Sequence, residues 1–458
     1  MLEKAFARKY LPILVLLVLG LATRAAFLRY PNEVVFDEVH FGSFISAYFT
    51  HEYYFDIHPP LGKLLIAAWG KMCGYHAGLR FDNIGQAFGD ASYVTLRTLP
   101  NVVGGLIPAA VYGFLGALGI SGPAAFLASC FILFDNAFLV ESRFVLLDPF
   151  YLLFGFSGLW LFFRARHRGY RISNVALAFA VLGLSVSVKW IGLGFFGFAA
   201  IVMAADHIRR WRAACVRIVV SFGAPAVIYV FSFWIHFWLL SKTGPGDPFM
   251  SARFQRGLEG SVYTSDTGLK PLSLLQKTWE INRRMFAANQ TLHASHPYES
   301  KFYTWPFMWR SVSYWTKDFG GGKAGYIYFL GNPVVWWLSA FAVMGGLFSV
   351  LDRWKCAREP RPAKDWLYVG YLVSLLPFAA ISRLLFLYHY LAALVFGASI
   401  CSALLFDEWD WRNRRQRTLW VSLLLLTIGG FLFFAPLSYG WPIDSAGYRS
   451  RMWLKSWI

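Results

Sequence analysis

Five side chains able to act as acids, bases or ligands crowd one short stretch near the start of the chain. Asp37, Glu38 and His40 stand in VVFDEVHFG, and Asp56 and His58 in FDIHPPLGKLL. Adjacent carboxylates suit general acid or base work, and the mixed set has the donor chemistry of a zinc or manganese site. His40 lies three residues after Asp37, a spacing that puts both on one helical face, so this pair could share a divalent metal. A plainer role for Asp37 and Glu38 is to complement a helix dipole.

Amphipathic helices must position these groups. Phe41, Phe44, Ile45 and Tyr48 recur at helical spacing after the first acids. After the second, Pro59 and Pro60 suit a helix entry, and Leu61, Leu64, Leu65, Ala68 and Met72 form an apolar stripe flanked by Lys63, Trp69 and Lys71. Acids at the heads of two helices beside a membrane surface mark a reaction-site candidate.

The membrane follows from composition. Of 458 residues 57% are hydrophobic and 15% charged, far from the balance of a water-soluble domain. Apolar runs of bilayer length recur throughout. The formal charge of +18 could suggest nucleic acid, but its basic residues cluster between apolar runs, so no nucleic-acid partner is expected. Five cysteines without paired spacing indicate neither a disulfide framework nor a zinc knuckle.

Eleven spans are expected, at about 10–28, 96–117, 123–141, 145–163, 173–188, 190–205, 218–240, 325–350, 366–382, 384–405 and 418–436. From a cytoplasmic N-terminus, the Arg- and Lys-rich segments 164–171, 207–217, 352–364 and 408–417 all fall inside, as the positive-inside rule requires. The fold class is thus an all-α polytopic membrane protein. Residues 1–458 form one transmembrane domain. Its long loops, 29–95 carrying the acids and 241–324 covering donor and acceptor, share the external face. Within the second loop, Leu275, Trp279 and Phe286 predict an interfacial helix. The sequon Asn289-Gln290-Thr291 is too common a triplet to carry a function.

Three cations remain at outer span ends, where that rule does not ask for them: Arg143, Lys189 and Arg383. Each could snorkel to headgroups, but together they could hold a lipid phosphate. Asp148, one turn beyond Arg143, is expected to be its partner.

Several blocks, taken in order, resemble the protein O-mannosyltransferase family: VVFDEVHFG, FDIHPPLGKLL, ESRFVLLDPFYLLF, SVKWIG and the SR…FLYHYLAAL of 382–394. They run from about residue 24 to 442. The resemblance implies the GT-C glycosyltransferase fold and inverting transfer of mannose from polyprenyl-phosphate mannose to Ser or Thr hydroxyls of exported polypeptides. It requires no metal. The second loop is too short for the MIR β-trefoil of eukaryotic members, so a compact prokaryotic-type member is expected; a second departure is Ala392, which stands where the family usually has proline. Its place would be a bacterial cytoplasmic membrane, among membrane lipids and near the protein-translocation machinery.

For such a transfer Asp37, at the head of a helix on the first external loop, is the expected base, Glu38 orients the acceptor or its backbone, and Asp56 binds sugar hydroxyls or positions the base. His58 and His389 also bind substrate, and Arg143, Lys189 and Arg383 hold the donor phosphate. A phosphate leaves as a stable anion, so one carboxylate suffices as base and cations replace a partner acid. Two other readings compete: a GT-C transferase acting on a glycolipid or glycan, and a lipid or sugar transporter. A transporter predicts internal repeats and midplane breaks, which the sequence lacks.

Overall fold

The computed structural model describes residues 2–207, 211–291, 296–355, 362–381 and 383–457. Parts of the basic segments 207–217 and 352–364, and Ser382, lie outside these.

The helices run α1 Leu2–Ala25, α2 Glu38–Thr50, α3 Leu61–Met72, α4 Tyr93–Leu118, α5 Gly122–Leu133, α6 Asn136–Arg143, α7 Asp148–His167, α8 Ile172–Val188, α9 Leu193–His207, α10 Trp211–Leu239, α11 Ala252–Gln255 and α12 Leu274–Thr291. Strands β1 (Val312–Gly320) and β2 (Lys323–Phe329) follow, then α13 Pro333–Lys355, α14 Ala363–Leu375, α15 Leu391–Phe406, α16 Arg414–Tyr439, β3 Ile443–Asp444 and α17 Ser445–Arg449. Among the described residues six helices are long and apolar enough to cross a membrane, or seven if the α5–α6 pair, bent by 57°, is one span. A helix lies within each expected span, but only those six or seven are long and apolar enough to cross: α8 and α14 are short, and α9 and α15 reach span length only with the turn before each.

Packing follows composition. α7 lies against α4 and α8, and α15, almost wholly buried, packs on α5, α13 and α14. Helices need small residues where they cross closely. At the α1–α4 crossing a Cβ on Gly20 would stand 2.2 Å from the Gly105 carbonyl oxygen, so no larger residue fits.

Two expectations are corrected here. The span drawn at 325–350 begins as strand β2, because Ile327 and Phe329 alternate with Tyr326 and Tyr328 at the period of a strand. β2 pairs antiparallel with β1 and β3 in a three-stranded sheet. The hairpin turns through Gly320, Gly321 and Gly322, all at positive φ. In α3, Ala68 and Met72 are exposed, whereas Lys63, Leu64, Ile66, Ala67 and Gly70 are buried. Lys63 is therefore an interior group.

The first long loop closes on itself: Val34 N–H donates to Gln86 O at 2.9 Å and Phe88 N–H to Asn32 O at 3.0 Å. In α2, Phe41, Ile45 and Tyr48 are buried as their spacing predicts. In α12, Leu275, Trp279 and Phe286 are exposed, the apolar face an interfacial helix turns toward lipid.

Candidate active site

Adjacent in sequence, Asp37 and Glu38 part in the structure. Glu38 is wholly buried and accepts from Val35 N–H (2.9 Å), Val145 N–H (3.0 Å), and Arg97 Nε (2.8 Å) and Nη2 (2.6 Å). Arg97, also buried, donates further to the carbonyls of Pro31 (2.6 Å) and Glu33 (2.7 Å). A buried ion pair is tolerated when hydrogen bonds satisfy its remaining atoms, as here. The pair ties the first loop to α4 and to the α6–α7 turn.

With Glu38 turned inward, Asp37 faces a cavity of about 310 Å³ that His40, Asp56, His58, Lys189, Arg383 and His389 also line. Asp37 begins α2 but makes no side-chain cap, which leaves its carboxylate to the cavity. Burial pushes its pKa up to about 6; His40 and Lys189 oppose the shift, and Asp148 and Asp56 add to it. A carboxylate so placed gains proton affinity yet stays ionised at neutral pH, as a general base requires.

Asp56 pairs with Lys63 of α3, whose ammonium also reaches the carbonyls of His58 (3.1 Å) and Pro59 (3.3 Å). The lysine fixes the turn that presents Asp56 and His58. Burial, then the charges of Lys189 and Arg383, hold the His58 pKa well below its usual value, so its imidazole is neutral. His389 stacks on Trp305, and its Nδ1 lies 2.9 Å from the Phe386 carbonyl oxygen and 3.3 Å from the Phe386 N–H, which anchors the ring to the backbone before α15.

Lys189 lies 2.5 Å from Asp148, so the expected partnership of Asp148 with Arg143 is corrected. Arg143 instead donates to Ser438 O (2.7 Å), Phe27 O (2.9 Å) and Tyr30 O (2.8 Å), joining the ends of α1 and α16. It borders neither the Asp37 cavity nor the neighbouring one. Of the three outer cations the structure gathers only Lys189 and Arg383.

These two cations, with Ile57 and His58, also border a second cavity of about 320 Å³. Its remaining wall is largely apolar, built from Trp190, Leu193 and Phe195 before and within α9, Phe286 of α12, and Pro377 and Ile381 beyond α14. A polar chamber and an apolar groove thus meet at two cations. Among the described residues no three His, Cys, Asp or Glu side chains gather as a metal requires, which leaves Asp37 and His40 a partial donor set.

Arg97 and Tyr388 carry no expectation from sequence, and Lys63, expected at the flank of an amphipathic stripe, is instead the buried partner of Asp56. A charge at the head of an apolar span (Arg97) and one on an apolar helix (Lys63) were the available signals. Tyr388, which lines the polar chamber under Lys189, carried none beyond its place beside His389.

Residues 14–241 match the family described as dolichyl-phosphate-mannose-protein mannosyltransferase, and residues 274–457 the C-terminal four-span region of protein O-mannosyltransferase. Dolichyl-phosphate-mannose–protein mannosyltransferase 4 of Saccharomyces cerevisiae is 33% identical over 276 residues, 56% of this chain and 36% of that protein. Its Schizosaccharomyces pombe counterpart is 33% identical over 315 residues, 64% of this chain and 39% of that protein. The chain therefore spans little more than a third of these relatives' length. Among solved structures, the Saccharomyces cerevisiae Pmt1-Pmt2 complex bound to the sugar donor superposes with a TM-score of 0.87 at 20% identity, covering 98% of this chain and 93% of that one. ArnT from Cupriavidus metallidurans in the apo state gives 0.55 at 13% identity, covering 95% and 77%. The fold is that of the GT-C glycosyltransferases.

Proposed function

The chain belongs to the protein O-mannosyltransferase family, and from that membership we propose that it moves mannose from polyprenyl-phosphate mannose to Ser or Thr hydroxyls of polypeptides. The observation that carries this reading is the meeting of two cavities at Lys189, Arg383 and His58. An isoprenoid chain suits the apolar groove, its phosphate the two cations, and the mannosyl ring the polar chamber beside Asp37. The yeast complex of the same fold is bound to a sugar donor.

Asp37 takes the proton of the acceptor hydroxyl as its oxygen attacks the anomeric carbon from the face opposite the phosphate. The bond to phosphate breaks, its electron pair stays on the phosphate oxygen, and configuration inverts. Charge grows on that oxygen, so Lys189 and Arg383 favour the transition state over the ground state. Asp148 holds Lys189 in place. Asp56, His58 and His389 bind the sugar hydroxyls. Glu38, enclosed by its own hydrogen bonds, acts through the backbone that carries Asp37 and not by touching the acceptor. Arg143, whose donors meet three carbonyls, serves the fold.

In this proposal the membrane is a bacterial cytoplasmic one crossed eleven times, with the N-terminus inside, the site outside, and acceptors arriving from the translocation machinery. The reading is tested by incubating the purified chain with polyprenyl-phosphate mannose and a Ser/Thr peptide. A peptide mass increment of one hexose is expected; hexose appearing only on a lipid acceptor would overturn it.

A further inference from the structure

The β1–β2 hairpin takes no part in that chemistry, yet its first strand grips the residue beside the base. Phe36 sits at φ +48°, a backbone region that a bulky side chain occupies only when its surroundings hold it. What holds it is Tyr314. The two rings stack with centroids 3.9 Å apart and planes within 9°, and Phe36 N–H donates to Tyr314 O at 3.1 Å. Tyr314 falls at the register shift between Ser313 and Trp315, a bulge of the kind that re-aims a side chain. Its hydroxyl donates to the Glu141 carboxylate on α6, which fixes the ring from the far side.

The strand also grips the loop three residues upstream. Trp315 Nε1 donates to Glu33 at 2.8 Å and Lys317 pairs with the same carboxylate. Segment 33–36 is thus held at both ends by β1, and Asp37 is the next residue. Simple packing would explain the burial of Tyr314. It gives no reason for a bulged residue to engage both the ring and the N–H of a neighbour in left-handed backbone.

Building on the transferase reading, we infer that Tyr314 is a positioning residue: through Phe36 it sets the backbone that aims the Asp37 carboxylate into the polar chamber. The hairpin of the second loop thereby becomes a support of the base in the first.

The test combines transfer kinetics with hydrogen exchange over residues 33–40, in the full-length protein and in Tyr314→Phe, Tyr314→Leu and Phe36→Gly. Tyr314→Phe keeps the stack but removes the hydrogen bond to the buried Glu141 carboxylate, so it should lose less turnover and less protection than the other two variants. Tyr314→Leu and Phe36→Gly should lower kcat on the order of a hundredfold, the scale of an ångström's misplacement, with donor KM nearly unchanged. In both, residues 33–40 should exchange faster while residues 61–72 do not. Phe36 is only half-buried, so its variant decides the matter if Tyr314→Leu fails to fold. Wild-type turnover with unchanged exchange would overturn the inference, and so would faster exchange everywhere with donor binding lost in step. Should the unaltered protein transfer no mannose, the transferase reading falls by itself, and the exchange over 33–40 still decides this one.

Discussion

The Arg97 guanidinium meets the Glu38 carboxylate at 2.6 and 2.8 Å, with both side chains wholly withdrawn from solvent. Removing one partner of such a pair leaves a buried charge uncompensated, which typically costs about 3–5 kcal/mol. Arg97→Met should therefore lower the thermal unfolding temperature of the detergent-solubilised protein markedly, and Glu38→Gln somewhat less, because the amide keeps part of the hydrogen bonding. A Glu38→Gln protein of wild-type stability but altered acceptor KM would return Glu38 to the acceptor.

The proton affinity of Asp37 gives a pH prediction. Its pKa is raised to about 6 by burial, and a base works only when ionised. kcat/KM should be low below that value, rise as pH climbs through about 6, and level off above it. Asp56→Asn removes one of the charges that hold the pKa up, so its rising limb should move to lower pH. A pH profile flat across this window would separate the rate from Asp37.

Lys189 and Arg383 should behave alike, and Arg143 should not. Neutralising either of the first two with Gln should cut turnover on the order of a hundredfold with a smaller change in donor affinity. Arg143→Gln should leave single-turnover rates of the folded fraction near wild type and lower thermal stability. Equal losses of rate in all three would put Arg143 at the phosphate after all.

The apolar groove can be narrowed without touching the cations. A Cβ at Gly194 would meet Val373 O at 3.6 Å and Ser374 at 3.7 Å, ordinary contacts, so a side chain can start there without displacing backbone, and Gly194→Leu is the variant to make. Its larger side chain would occupy the groove. Donor KM should rise for a long polyprenyl chain and change little for a short water-soluble analogue, with kcat held. Equal effects on both donors would place the lipid elsewhere.

Much of this was legible in the residues, for physical reasons that also explain what was not. The helices at the expected spans follow from apolar runs that only a bilayer or a large core can absorb, and α2 follows from its 3.6-residue period. That Asp37 and Glu38 lie at the head of α2 was readable, but that they face apart was not, because adjacent residues diverge according to the partner each finds. Glu38 finds Arg97, fifty-nine residues away. Asp148 was matched with its near neighbour Arg143, whereas the fold brings Lys189 to it from the far end of α8. The β1–β2 hairpin was missed because its alternating aromatics run straight into the apolar α13, and a period of two over seven residues is easily absorbed into a longer hydrophobic run.

In the proposed mechanism Asp37 is the base of a mannosyl transfer from a lipid phosphate. Asp37→Asn keeps the shape of the side chain and removes its proton affinity. The deciding measurement follows purified wild-type and Asp37→Asn protein mixed with polyprenyl-phosphate mannose and a Ser/Thr peptide, recording donor binding and peptide mass together. Both proteins should bind the donor equally, and only the wild type should add one hexose to the peptide. An Asp37→Asn protein that binds donor and transfers at a near-wild-type rate would contradict it.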